Sequence, residues 1–157
     1  MADTQMKRLV EMMHRESVSS YLDICIPALQ VKRKHLNALS KGDVLPLNSK
    51  ELRVEVLDGN HILAQGVYGV YQNSRSVLIE DQPTEIVDRL DKKKYETIRV
   101  HLGTIERSKY GSDKIVRLIT DSRFDALLYR ADDRLLAKAI LVQIDGEMAL
   151  EIGEIVE

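Results

Sequence analysis

The sequence predicts a mainly β protein with short helices, built from two β-rich modules that pair with each other behind an N-terminal helix. Three observations predict it. Apolar and polar residues alternate in run after run, the period of a half-buried strand. The runs recur in one order in the two halves of the chain, which marks an internal repeat. Each half is also too short to bury a good core alone, so pairing is the physical remedy.

Residues 1–20 read as the helix, with Met6, Leu9, Val10 and Met13 on one face and Lys7, Arg8 and Glu11 between them. Such a face caps the main body or docks on another subunit. The first module spans 21–81. In it Ile24 and Ile26 alternate with Asp23 and Cys25, and Pro27 is expected to end the strand. Lys32-Arg33-Lys34-His35 then precedes Leu36 and Leu39, as the solvated face of a short helix. Leu52, Val54 and Val56 alternate with Arg53 and Glu55, and Asp58-Gly59 supplies a tight turn into a partner strand, Ile62 to Tyr71. Gln72-Asn73-Ser74-Arg75 forms the next turn, before a strand from Val77 to Ile79.

A connector, 82–94, carries Pro83 and the run Asp91-Lys92-Lys93-Lys94. The second module, 95–157, repeats the plan: Ile98, Val100 and Leu102 alternate with Arg99 and His101, Phe124 to Tyr129 forms a strand, and Asp132-Asp133 turns. Leu135 to Ile144 and Met148 to Ile152 follow as strands about an Asp145-Gly146 turn. Three blocks match in order. Residues 42–47 match 113–118, 62–66 match 135–139, and 76–80 match 149–153.

Composition narrows the function. Charged residues are 31% of the chain, the net charge is -2 and aromatics are 4%, so neither a basic field nor stacking rings are present for nucleic acid. One cysteine, Cys25, fits a reducing compartment and reads as a plain buried or edge thiol. Met1-Ala2-Asp3-Thr4 opens without a long apolar run, and no stretch reaches the roughly 20 apolar residues of a membrane span, so a cytoplasmic protein without direct membrane insertion is expected. His14, His35, His61 and His101 hold no ligand spacing with one another or with Cys25, so no metal is expected. No phosphate loop, dinucleotide fingerprint or nucleophile elbow occurs; no catalytic residue and no cofactor is expected.

Each copy resembles the SPOA (surface presentation of antigens) domain of flagellar motor-switch rotor proteins and type III secretion sorting platforms. Leu39-Ser40-Lys41-Gly42-Asp43-Val44-Leu45-Pro46-Leu47 resembles that family's leucine, two residues, glycine-aspartate, aliphatic pair. Asp58 to Gly66 is similar to its turn, aliphatic pair, alanine and late glycine, Leu102-Gly103 to its early leucine-glycine, and Ala149 to Ile155 to its final strand. The second copy departs at Asp113-Lys114, which replaces glycine-aspartate, and at Ala139, which replaces the late glycine; these put its turn geometry in question more than its fold.

The resemblance implies exchanged strands, so that the two SPOA-like modules of one chain pair as an intertwined pseudo-dimer; exchange between chains is the alternative. It implies a non-catalytic adaptor of the flagellar motor switch complex, a cytoplasmic ring at the face of the inner membrane, that binds other SPOA-domain proteins and the export-ATPase regulator. The equivalent subunit of an injectisome platform is the alternative, and a homo-oligomer is open. The aliphatic patch of relatives falls by position on Val67, Tyr68 and Val70, and on Ile140, Leu141 and Val142. A strand buried on both faces is the competing reading of that segment. Some flagellar relatives dephosphorylate a chemotaxis response regulator through a separate domain, for which this chain has no room. From other classes, an enzyme using an inter-module cleft would show a concave pocket with titratable groups. An RNA-binding barrel is disfavoured by the acidic balance and scarce aromatics.

Overall fold

A computed structural model describes residues 20–59, 61–80, 94–120 and 123–156. The expected N-terminal helix and most of the connector lie outside them. Among the described residues ten antiparallel strands form one sheet: β1 (Tyr21–Lys32), β2 (Val44–Pro46), β3 (Leu52–Asp58), β4 (His61–Tyr71), β5 (Ser74–Glu80), β6 (Tyr95–Glu106), β7 (Ile115–Arg117), β8 (Ala126–Tyr129), β9 (Leu135–Ile144) and β10 (Glu147–Ile155). Two short helices, α1 (Arg33–Asn37) and α2 (Arg107–Tyr110), follow β1 and β6. The protein is thus mainly β with short helices.

The order across the sheet is β2-β10-β9-β8-β6-β1-β3-β4-β5-β7. Read outward from the central β1–β6 pair, the two halves carry the same sequence of elements. The outermost strand of each half comes from the other half of the chain: β2 pairs with β10, and β7 with β5. The strands are exchanged within the chain. Backbone bonds repeat this relation. Ile152 N–H donates to Asp43 O at 2.8 Å and Ile79 N–H to Lys114 O at 2.9 Å; Leu47 N–H donates to Met148 O at 3.0 Å and Leu118 N–H to Arg75 O at 2.9 Å. The first turns of the helices are held alike, by Arg33 N–H to Lys94 O and Arg107 N–H to Ser20 O, both 2.9 Å.

One continuous core lies beneath both halves. Leu22, Ile24, Ile98, Val100, Leu102 and Ile105 on the central pair are at most 2% exposed, and they meet Val54, Val56, Leu128 and Leu150, all 0% exposed. Each such aliphatic side chain contributes about 1.5–3 kcal/mol by leaving water. A half-molecule would expose the central row. That is why neither half closes a core alone.

Several elements differ from the sequence expectation. β1 does not end at Pro27 but runs to Lys32, because the register shifts between Ile26 and Leu29 and Pro27 falls in the bulge, where its missing N–H costs no ladder bond. The turn after β4 is only Gln72-Asn73, at φ 49° and 63°, the mirror-type geometry that lets β5 begin at Ser74. β8 starts at Ala126 rather than Phe124, whose ring instead covers Gly153; a Cβ there would stand 2.5 Å from Phe124 Cε1. At the block where the second copy departs, Gly42 sits at φ +92° and donates to Ile152 O, whereas Asp113 has no positive φ and donates to Lys109 O. The turn changed while the strand after it kept its place.

Two polar devices fix the halves together. Glu96, 4% exposed, accepts from Arg33 Nη1 at 2.7 Å, Arg130 Nη2 at 3.0 Å, Arg130 Nε at 3.1 Å and the Ala131 N–H at 3.2 Å. It ties α1 of the first half to β6 and the β8–β9 turn of the second. Hydrogen bonding from the Arg130 guanidinium holds its carboxyl below the usual glutamate range, against the opposing pull of burial. On the other side Arg75 of β5 donates through Nε to Tyr68 Oη at 2.6 Å and through Nη2 to Leu102 O at 3.1 Å and Asp125 O at 2.7 Å.

Candidate interaction surfaces

The six residues expected to meet partners lie on β4 and β9, equivalent strands of the two halves. They form two patches rather than one, because β8, β6, β1 and β3 lie between them. That is about 24 Å along the sheet at roughly 4.8 Å per strand. Strand alternation divides the six further. Tyr68 and Leu141 turn to the core side and pack against it. Tyr68 holds Arg75, and the Leu141 N–H, beyond the end of β8, donates to Asp125 Oδ2 at 2.8 Å. Val67, Ile140 and Val142 face outward and are half-buried; Val70, near the β4–β5 turn, is 72% exposed. None of the six is fully buried, so neither strand is covered on both faces.

The outward residues do not act alone. Cross-strand register carries each into a row finished by the exchanged strand. Val67 opposes Leu78, which opposes Ile115 of β7. In the other half Ile140 opposes Glu151, which opposes Val44 of β2, and Val142 opposes Ala149, which opposes Pro46. Each surface is therefore composite, two strands from one half and the edge strand from the other. Sequence reasoning missed Ile115, Val44 and Pro46. The matched blocks 42–47 and 113–118 held the signal, but spacing along a chain does not say beside which strand a segment lies.

Next to the first surface is an open cleft of about 760 Å³ lined by Tyr71, Ser74, Ser76, Glu106, Lys109 and Arg117 among others. Its lining is mostly polar, with Tyr71, Ile115 and Ile119 as partly exposed apolar residues within it. At the middle of the sheet, on its outward side, His101 Nε2 lies 2.9 Å from Asp23 Oδ1, and Cys25 opposes His101 in register. Cys25 is 3% exposed; burial, with the neighbouring Asp23 carboxylate, pushes its thiol up to about 12. A thiol so placed is a neutral core group, not a nucleophile. In native protein near neutral pH it is expected to react with iodoacetamide roughly a hundredfold or more slowly than in the unfolded chain, as followed by mass spectrometry. Fast labelling of native protein would contradict its burial.

Among the described residues no cluster of three or more His, Cys, Asp or Glu side chains could hold a metal ion, and no helix is long and apolar enough to cross a membrane. No protein-family model matches this sequence, and no curated protein matches it.

Proposed function

We propose that this chain is a non-catalytic scaffold of the SPOA kind, an adaptor in the cytoplasmic rotor ring of a flagellar motor switch. It would contact sibling SPOA-domain proteins and the regulator that tethers the export ATPase. The corresponding platform subunit of a type III secretion injectisome is the close alternative. One observation carries the reading: the reciprocal exchange of β2 and β7 between two halves of identical element order, which is the arrangement the sequence resemblance implies. Half-exposed aliphatic rows on the composite surfaces support it, since a capture surface needs apolar area open to a partner without loss of the fold.

The test is affinity capture of the full chain from extract of its native cell, read by mass spectrometry, with deletion of its gene alongside. Co-purification of other SPOA-domain proteins and the export-ATPase regulator, and loss of motility or of effector secretion on deletion, are the expected results. Capture dominated by nucleic acid or metabolic enzymes, with motility and secretion intact, would refute the reading.

A further inference from the structure

The two composite surfaces occupy equivalent places, yet their charges have diverged in opposite directions. On the first surface, the outward side of β4, β5 and β7, the exposed Arg117 opposes Ser76, and Ser74 stands at the turn opposite Tyr71. On the second, the outward side of β9, β10 and β2, the corresponding positions hold Pro46 for Arg117, Glu147 for Ser74 and Glu151 for Leu78. Of the other charges, Arg53 on the first surface is shared by Glu80 at 2.9 Å and Glu51 at 4.0 Å, and Lys138 opposes Glu154 in register on the second. Beside Val67, Leu78 and Ile115 on one surface stands a cation, Arg117, and beside Ile140, Val142 and Val44 on the other stand two carboxylates, Glu147 and Glu151.

We propose that the protein binds further copies of itself head to tail, the first surface of one chain against the second surface of the next. Each surface offers half-exposed aliphatic residues, and the charge that stands beside them on one is opposite in sign to that on the other. Like surfaces repel or leave their charges unmatched, so an isologous pair is disfavoured. A heterologous contact leaves one free surface at each end, and repetition closes a ring or extends a filament. The surfaces are those named above for partner capture, but self-association is read on the purified chain alone and its outcome does not depend on which proteins are captured.

The experiment is sedimentation velocity of the full chain across concentration and ionic strength, with Arg117→Glu and Glu151→Lys separately and as an equimolar mixture. Wild type is expected to associate beyond a dimer as concentration rises and to dissociate as salt is raised. Each variant alone sets like charges face to face and should associate roughly tenfold or more weakly. The mixture should recover association, because each variant's altered surface meets its complement. Unchanged thermal melting of both variants shows that the fold is kept, and the salt dependence of wild type stands as a measurement free of substitution. A chain that stays monomeric at every concentration, association that salt does not weaken, variants that associate like wild type, or a mixture no stronger than its components would each overturn the proposal.

Discussion

Replacing Glu96 with Gln is expected to destabilise the protein by about 2–4 kcal/mol, because a buried carboxylate with several cationic donors loses its charge while the donors remain. Arg33 is 45% exposed and can turn to water, but Arg130 is 16% exposed and cannot do so freely. For a chain of this length that corresponds to a fall in Tm of about 5–15 °C, measurable by calorimetry. The pH dependence carries the same signature. The folded-state pKa of Glu96 lies below its ordinary 4.5, so the unfolded chain takes up the proton first as pH falls. The stabilisation is complete above the unfolded pKa and is lost as pH falls through the folded one. Wild type should therefore lose stability below about pH 4.5 more steeply than Glu96→Gln, and the two curves should converge in acid. Parallel curves would mean that Glu96 carries no net stabilisation as a charge.

Gly103→Ala is expected to cost about 2–5 kcal/mol. Gly103 stands at φ +144°, a conformation that side chains rarely adopt, in the β6 bulge beside Leu102. A Cβ there would stand 2.9 Å from Thr120 Cγ2 and 3.1 Å from Ile119 O, where Ile119 bridges to Thr104. Backbone strain and overpacking act together. The control is Gly69→Ala, whose added Cβ meets nothing within 4 Å and should change stability by no more than about 0.5 kcal/mol. Urea unfolding of the two variants decides it: equal midpoints would show that the bulge relaxes without cost.

Much of the strand plan was legible because it depends on near neighbours. Leu52-Val54-Val56 and Ile98-Val100-Leu102 are buried on alternate positions as their period predicts, and Asp145-Gly146 turns where expected, at φ 53° and 80°. What escaped depends on distant partners. Pro27 stops a strand in isolation but not when it falls in a bulge of β1 opposite Arg99. Arg75 read as a turn residue, yet its side chain spans to Leu102 and Asp125. Glu96 was visible in principle, since it lies in phase with Ile98, Val100 and Leu102 and so on the buried side. A carboxylate in that phase needs cations, and Arg33 and Arg130, on elements far apart in sequence, are brought to it only by the fold. α2 (Arg107–Tyr110) went unseen because only the equivalence with α1 marks so short a helix. Of the candidate surfaces, β4 and β9 could be named from sequence; the edge strands that complete them could not.

Exchange of the edge strands also sets an order in time. Among the described residues β2, at Val44–Pro46, has its strand partner at Ala149–Glu151, near the other end of the described chain. While the chain grows on the ribosome, the first half waits with that segment unpaired until β10 has emerged, even if β3, β4 and β5 form early. Contacts this remote in sequence close slowly, and the waiting edge is exposed to wrong partners meanwhile. A chaperone that shields nascent strands would have its longest task here.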